Sequence, residues 1–234
     1  MARTLLPLAL AASLIGAASA AVVFEQAPAD GNDAFLSISA AQSADGFVLS
    51  TTTSVTGLTW WGSYLEDPGD PATPLRKDDF TVRFFADDGS GAPKALPTET
   101  ILQQPARSST LLVDKERAPV YRFDLDLALA PVTLAAGRNY LSVVNQFDVL
   151  DSRAEWYWLL SDTTGQNFYR VVDRDPWSRA LNPPKGNLAF QVSGNPGTAI
   201  PVPGSLLLVL SGLAGLNLVG LRGRGELAAS PVEG

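Results

Sequence analysis

The stretch Val120-Tyr121-Arg122-Phe123-Asp124-Leu125-Asp126-Leu127 alternates apolar and charged residues with a period of two. Because successive side chains of a strand point to opposite faces, the apolar residues from Tyr121 onward share one face and the charged residues share the other. One apolar face and one charged face are typical of a half-buried strand in an antiparallel sheet. The stretch therefore predicts a strand with one side in a protein core.

The same period recurs along the chain. In Phe80-Thr81-Val82-Arg83-Phe84, the first, third and fifth residues are apolar and would point inward. Similar apolar, β-branched and aromatic patterns predict further strands at residues 47–53, 55–65, 140–147, 155–161 and 187–193. Turn signals lie at residues 87–91, 136–139 and 182–186, and residues 66–74 form a longer loop rich in proline and aspartate. With no amphipathic helix between the strands, the pattern predicts an all-β fold, an antiparallel β-sandwich with a jelly-roll-like topology.

The N-terminus has the layout of a secretory signal peptide. Arg3 supplies one positive charge, residues 5–17 are almost all apolar, and Ala18 and Ala20 place small residues at the −3 and −1 positions of a cleavage site. The apolar part is too short for a stable membrane span. We therefore expect a signal helix that is removed after Ala20, with a short buried helix as the alternative.

Residues 205–221 form the longest apolar run and contain no charge. As a helix they would be about 26 Å long, at the short end for a hydrocarbon core of about 30 Å. Arg222 and Arg224 follow, and positive charge is enriched on the cytoplasmic side of membrane helices. The run predicts a single transmembrane helix, and the alternative is a C-terminal core helix of a soluble domain.

This tail resembles the PEP-CTERM sorting signal of Gram-negative bacteria. The resemblance depends on Pro201, Val202 and Pro203, on the Leu-rich helix with its small residues, and on Arg222 and Arg224. Val202 stands where the signal usually has glutamate, as in its Val-Pro-x-Pro variants. The resemblance implies that an exosortase-type membrane protease recognises the motif and cuts the tail. The expected order is a signal peptide 1–20, an exported domain 21–194, a linker with the sorting motif 195–204, a transmembrane helix 205–221 and a cytoplasmic tail 222–234.

The body, from about residue 55 to residue 193, is similar to the exported domains that commonly precede such tails. The residues that carry this similarity are Leu58-Thr59-Trp60-Trp61-Gly62-Ser63-Tyr64, Asp79-Phe80-Thr81-Val82-Arg83-Phe84-Phe85, Ala136-Gly137-Arg138-Asn139-Tyr140-Leu141-Ser142, the strand from Glu155 to Trp158, and Leu188-Ala189-Phe190-Gln191. The resemblance implies a β-sandwich and assigns no activity.

The composition excludes several kinds of chemistry. The chain has no histidine and no cysteine, which removes the commonest general base, the usual partner in a serine triad, and every disulfide or zinc–thiolate site. Carboxylate chemistry and oxygen-only metal sites are what remain. The net charge of −7 argues against nucleic acid as a partner.

Five tryptophans offer candidate binding surfaces. Trp60 and Trp61 are adjacent, so in a strand they point to opposite faces, and we expect at least one of them to be exposed. Trp177 lies in the polar segment 173–179 and is the best candidate for an exposed contact. Trp61 and Trp177 are therefore candidate glycan contacts, since indole faces stack on sugar rings. The alternative is that the tryptophans fill the core between two sheets.

Carboxylates cluster in several loops, and each cluster has an ordinary interpretation beside the chemical one. Asp87 and Asp88 are weak candidates for a structural calcium, the one cofactor that the sequence leaves open, although the segment is first a turn signal. Glu155 is a candidate acid of a glycosidase, although no partner carboxylate is identifiable and a solvated glutamate is the simpler interpretation. These observations favour a protein that is not an enzyme.

The function predicted from the sequence is an exported, surface-sorted structural or adhesive protein of the extracellular or exopolysaccharide matrix. The alternative is a carbohydrate-binding module that uses exposed tryptophans. Expected partners are an exosortase-type processing protease, the membrane through the C-terminal helix, and extracellular polysaccharide. The protein would be anchored in the inner membrane before processing and would then lie at the cell surface or outside the cell.

Overall fold

A computed structural model describes residues 20–64, 78–147, 155–180 and 186–197. Within these ranges the regular structure consists of strands, and no helix there could cross a membrane. The strands are β1 (Ala21–Gln26), β2 (Ala34–Leu36), β3 (Gln42–Leu49), β4 (Thr53–Tyr64), β5 (Phe80–Ala86), β6 (Glu99–Ile101), β7 (Ala106–Val113), β8 (Pro119–Asp126), β9 (Val132–Leu134), β10 (Gly137–Asn145), β11 (Trp156–Leu159), β12 (Phe168–Arg170), β13 (Ser178–Arg179) and β14 (Phe190–Pro196).

The first sheet is built around the long strand β4. Along one side β4 pairs with β14 and then with β11, and along the other side it pairs with β9 and then with β8. β1 extends the sheet beyond β14, β2 extends it beyond β11, and β7 extends it beyond β8. All of these pairings are antiparallel. β14, from the C-terminal part of the domain, lies between β4 and the N-terminal strand β1.

The second sheet has the order β13-β12-β3-β10-β5-β6, again with antiparallel pairing. Its centre is the pair β3 and β10, whose register runs from Leu49 opposite Gly137 to Ala44 opposite Ser142. The domain is therefore all-β, with two antiparallel sheets.

The inner faces of the two sheets share one hydrophobic core. Phe80 of the second sheet lies 4.9 Å from Phe123 of the first, measured between ring centroids, and Phe47 lies 5.9 Å from Phe190 in the same way. Trp60 and Trp156, which are fully buried, belong to the same core cluster. Burial of these aromatic side chains is the main stabilising contribution to such a domain.

The period-two predictions agree with this core. Phe123 and Leu125 of β8 are buried, as are Phe80, Val82 and Phe84 of β5. The outer face of β8 is less exposed to solvent than expected, because Val120 on that face is also buried. Val120 packs in a small cluster with Trp61 and Leu159. The charged residues of β8 lie toward solvent, with Arg122 and Asp126 exposed.

Several strands lie outside the sequence predictions. β14 continues to Pro196, past the expected domain boundary at residue 194, because Asn195 and Pro196 still pair with Ser54 and Thr53 of β4. The strands that were not expected are the edge or short strands β1, β2, β6, β7, β9, β12 and β13. Of the predicted segments, residues 1–19, 66–74, 182–185 and 198–234 lie outside the described residues, and with them Ala18, the sorting motif, the transmembrane helix and the cytoplasmic tail.

Candidate functional site

Trp177 is buried, so the exposure expected from its polar neighbours is wrong. Only 9% of the residue is exposed. The segment between β12 and β13 places the indole 5.3 Å from the Phe85 ring and 4.4 Å from the Arg170 guanidinium. The physical reason is that Phe85 and Tyr140 make the outer face of the second sheet apolar, and this segment shields that face from water.

Arg170 holds this outer layer together. Its Nε donates to Gln42 Oε1 at 2.8 Å, its Nη1 to the Ala95 carbonyl at 2.9 Å, and its Nη2 to Asp173 Oδ1 at 3.1 Å. Burial lowers the pKa of Arg170 from its ordinary value, and the nearby Asp173 carboxylate acts in the opposite direction. With its donors satisfied and its plane stacked on Trp177, Arg170 has a structural role.

Trp61 is also buried, with 8% of the residue exposed, and Trp60 is fully enclosed in the main core. Trp61 packs in the outer cluster with Val120, Leu159 and Ala189. The expectation that one of these two tryptophans is exposed is therefore wrong, because the first sheet is covered on both faces at this point. Trp156 and Trp158 are buried as well, so all five tryptophans are buried. Trp60, Trp156 and Trp158 lie in the core between the sheets, as the alternative interpretation predicted, whereas Trp61 and Trp177 pack in separate outer clusters.

Asp87 and Asp88 use their carboxylates to shape a turn. Asp87 Oδ2 accepts from the Tyr140 hydroxyl at 2.7 Å, and Asp88 Oδ1 accepts from the Ser90 amide at 2.7 Å. These hydrogen bonds lower the pKa of both carboxyl groups. Across the ranges described, no three acidic side chains come together in a way that could hold a metal ion.

Glu155 lies directly before β11 and accepts a hydrogen bond from the Tyr157 hydroxyl. Burial, and then the Glu155 carboxylate, raise the pKa of Tyr157 above its ordinary value, so the phenol keeps its proton. This pairing gives Glu155 an ordinary role as a hydrogen-bond acceptor at the start of a strand.

A cavity of about 370 Å³, which we call the Asp45 cleft, opens where the two sheets meet. β1 of the first sheet contributes Phe24 and Gln26, and β3 of the second sheet contributes Asp45. The rest of the wall includes Arg138 and Tyr140 of β10, Gln166, Phe168, Arg179 of β13, and Asn187. The cleft therefore combines aromatic rings, amides, a carboxylate and two guanidinium groups, which is the mixed lining typical of ligand sites.

Asp45 lies at the base of the cleft with only 2% of the residue exposed. Its Oδ1 accepts from the Gly46 amide at 2.6 Å and its Oδ2 from the Leu188 amide at 2.5 Å. With its amide turned so that Nε2 faces the acceptors, Gln26 donates to the Leu188 carbonyl at 2.5 Å and to Asp45 Oδ2 at 3.1 Å. Burial raises the pKa of Asp45 to about 8, against the lowering effect of the two backbone hydrogen bonds. A buried carboxyl group with such a shift, beside a cavity, marks a candidate functional site.

Arg138 and Arg179 lie at the mouth of the same cleft, and both are exposed. A Cβ atom placed on Gly91 would be 3.6 Å from Arg179 Nη2 and 3.7 Å from Arg138 Nη1, so both guanidinium groups approach one point. Neither arginine forms an ion pair with a carboxylate of the described residues. The mouth thus brings two positive charges together beside the turn that holds the Asp87 and Asp88 carboxylates. Arg179 Nη2 donates to the Ser90 carbonyl of that turn at 3.4 Å.

A second cavity, of about 500 Å³, lies between β6 and the segment around β9. Its wall mixes aliphatic residues with the neutral polar residues Thr100, Gln103 and Thr133, and Glu99 is the one charged residue among the described residues that line it. It lacks the buried carboxyl group and the two arginines of the Asp45 cleft, which is the better candidate.

The Asp45 cleft was not predicted from the sequence, because its residues come from distant parts of the chain, from Phe24 to Asn187. The available signal was Asp45-Gly46 directly before the apolar residues Phe47, Val48 and Leu49. A carboxylate in that position is expected to be hydrogen-bonded or to have a role.

Among known protein families, the one described as "Domain of unknown function (DUF7901)" matches residues 22–192. The match runs from β1 into β14 and so covers both sheets. A search of the curated proteins found none that matches the chain.

Proposed function

The chain belongs to the DUF7901 family, a domain of unknown function, and from that premise we propose that it is a non-enzymatic, surface-sorted structural or adhesive protein of an extracellular or exopolysaccharide matrix. In this proposal the signal peptide is removed after Ala20 and the C-terminal helix holds the protein in the inner membrane. An exosortase-type protease then cuts at the PEP-CTERM-like motif. The protein finally lies at the cell surface or outside the cell.

The observation that carries this proposal is the placement of the strands relative to the two expected cuts. β1 begins at Ala21, directly after the expected signal cleavage site, and β14 ends at Pro196, before the motif at Pro201 and Pro203. Both cuts would leave every described strand whole. Removal of either end would therefore break no strand pairing of the described sheets.

Two further observations support a role without catalysis. The chain has no histidine or cysteine, and the candidate acid Glu155 is hydrogen-bonded to Tyr157. The carboxylates of Asp87 and Asp88 are likewise occupied within a turn. We infer that the two antiparallel sheets form a β-sandwich of jelly-roll type. This inference is supported by the core that the sheets share and by the pairing of β1 with β14, two strands that are distant along the chain.

Mass spectrometry of the protein recovered from its host tests the proposal. We expect a mature N-terminus at Ala21 and loss of the apolar run 205–221 from the surface or released fraction. Replacing Pro201 and Pro203 with alanine should leave the N-terminal cut intact and abolish the C-terminal one. The N-terminal cut thus serves as the internal control. Recovery of an uncut chain in the cytosol would refute the proposal.

The carbohydrate-binding alternative cannot depend on Trp61 and Trp177, because both are buried. If the protein binds sugar, another surface must do so. The Asp45 cleft is the surface with suitable chemistry.

A further inference from the structure

We propose that the Asp45 cleft binds one carboxylate-bearing sugar residue of an anionic polysaccharide, with Arg138 and Arg179 holding the sugar's carboxylate. This inference rests on the proposed matrix function only for the source of the ligand. The site itself is argued from the structure.

The two arginines are placed for a shared anionic ligand. Their guanidinium groups approach the same point beside Gly91, and neither forms an ion pair with a carboxylate in the part of the chain that the structure describes. Two neighbouring cations repel each other, and an anion between them removes that repulsion. Guanidinium groups also match the geometry of a carboxylate, because they can donate two parallel hydrogen bonds.

Behind the arginines, hydrogen bonds hold the nearest acidic side chain in place. The Tyr140 hydroxyl donates to Asp87 Oδ2 at 2.7 Å, and the Gly89 amide donates to Asp87 Oδ1 at 2.7 Å. Asp87 keeps its negative charge, but it forms no ion pair with either arginine. The two guanidinium groups can therefore still donate hydrogen bonds to a carboxylate from solution.

The remaining wall suits a sugar better than a simple anion. Gln166 brings an amide group, which both donates and accepts hydrogen bonds and so suits sugar hydroxyls. Phe24, which is only partly buried, brings aromatic surface for the C–H face of a ring. The volume of about 370 Å³ lies at the small end of ligand sites, which span about 300–1,000 Å³.

Asp45 acts here as a positioning residue. It is buried and holds the Gln26 amide and the Leu188 backbone at the base of the cleft, where β1, β3 and the start of β14 meet. The ligand's carboxylate would bind between the two arginines at the mouth, away from the buried Asp45 carboxyl group.

The test is a calorimetric titration of the full chain, in mild detergent, with tetragalacturonate and with its fully methyl-esterified form. We expect binding of the acid, and binding of the ester at least about tenfold weaker, because esterification removes the charge that the arginines recognise. Arg138→Gln and Arg179→Gln should each weaken binding of the acid about tenfold or more. Arg122→Gln is the matched control, since this exposed arginine lies on β8 of the other sheet and pairs with Asp124.

Equal binding of acid and ester, no binding of either, or unchanged binding by both arginine variants would overturn the inference. Competition by inorganic sulfate or phosphate as strong as that by the uronate would show a simple anion site and would also overturn it. Thermal unfolding of each variant shows whether the fold is retained. Because the titration uses purified protein, its failure is distinct from a failure of the processing predicted above.

Discussion

Asp45 connects parts of the chain that are distant in sequence. Its two oxygens accept from Gly46 beside it on β3 and from Leu188 just before β14, and Gln26 of β1 donates to the same carboxyl group. One side chain thus joins the second sheet to two neighbouring segments of the first. Burial and hydrogen bonding shift the pKa of Asp45 in opposite directions. A buried carboxylate loses its hydration, which favours the protonated form, whereas each amide donor favours the ionised form.

Stability should depend on pH through Asp45. Its pKa is about 8 in the folded state and near 3.8 when unperturbed. Between these values the folded chain holds a proton that the unfolded chain has released, so the free energy of unfolding should fall as pH rises from about 4 to about 8 and level off above that. The slope contributed by one such group is at most about 1.4 kcal/mol per pH unit. Urea denaturation across this range measures it.

The variant Asp45→Asn cannot ionise, so the part of the slope due to this group should disappear. The variant should lose stability near pH 4, because the amide disturbs the two hydrogen bonds from the Gly46 and Leu188 amides, and this deficit should shrink as the pH rises. Asp162→Asn, at an exposed position, is the control and should leave the profile unchanged. The pKa values of Asp87 and Asp88 are lowered, so the stability that these groups contribute is lost only as the pH falls below about 4. They therefore do not affect the slope measured above pH 4. A pH profile of Asp45→Asn identical to that of the unmodified chain would contradict the assignment.

Trp177 shows where reasoning from single residues reaches its limit. Its neighbours Asp173, Arg174 and Asp175 are polar, which is typical of an exposed loop. The loop does lie at the surface, but it covers an apolar outer face that no local pattern reveals. Whether a residue in a loop faces water depends on what the loop covers.

At the scale of elements, β4 carries the first sheet, and its pairing requires a glycine at one point. A Cβ atom on Gly62 would lie 2.5 Å from the Tyr157 carbonyl oxygen and 2.5 Å from Trp156 Cζ2. Both neighbours belong to β11, the strand that pairs with this end of β4. The close approach of β11 therefore depends on the missing side chain.

Gly62→Ala should destabilise the domain by about 3 kcal/mol, because a backbone oxygen and a buried indole cannot both move away. Gly57→Ala, in the same strand, should cost less than about 1 kcal/mol, since its nearest neighbours would lie at an ordinary 3.6 Å and 3.7 Å. Chemical denaturation of the two variants gives the comparison. Equal losses of stability at both positions would contradict the prediction. They would show that the loss comes from replacing any glycine of β4, and not from the lack of space for a Cβ atom at Gly62.

The strands that the sequence predicts carry apolar patterns of their own. β8 buries mainly one face, whereas β10 is buried on both faces along most of its length. Phe80, Val82 and Phe84 alternate with less apolar residues, so β5 is visible as a pattern. β7 is an edge strand that is mostly exposed, and its Arg-Ser-Ser-Thr segment has no apolar period to detect. β1, β12 and β13 were missed for a related reason: each is short or lies at an edge, and its pairing partner decides its conformation.

At the scale of the whole molecule, all described strands lie before residue 198. A chain of residues 21–197 should therefore fold cooperatively, with a urea midpoint close to that of the full chain. A chain that ends at residue 189 lacks β14 and should not fold, because β14 places Phe190 and Val192 in the core between β1 and β4. Circular dichroism with urea checks both. Failure of the 21–197 chain to fold would show that the following residues contribute to the core.

The Asp45 cleft could not be predicted from the sequence, although its parts are ordinary. Gln26, Asp45, Arg138 and Asn187 become neighbours only after the two sheets have packed. Local periodicity shows which residues of one strand share a face. It carries no information on which edges of two sheets lie close together. The absence of histidine and cysteine, by contrast, limited the chemistry of the whole chain without any knowledge of the fold.

The pairing of β1 with β14 has a consequence for how the protein is made. Ala21 lies opposite Gly194, so the first strand to leave the ribosome pairs with the last. Until that last strand is synthesised, β1 has no partner in its sheet, and contacts between such distant residues form slowly. The nascent chain thus remains incompletely folded through nearly all of its translation, and a secretion channel that accepts only unfolded chains would meet it in a state that can still be threaded.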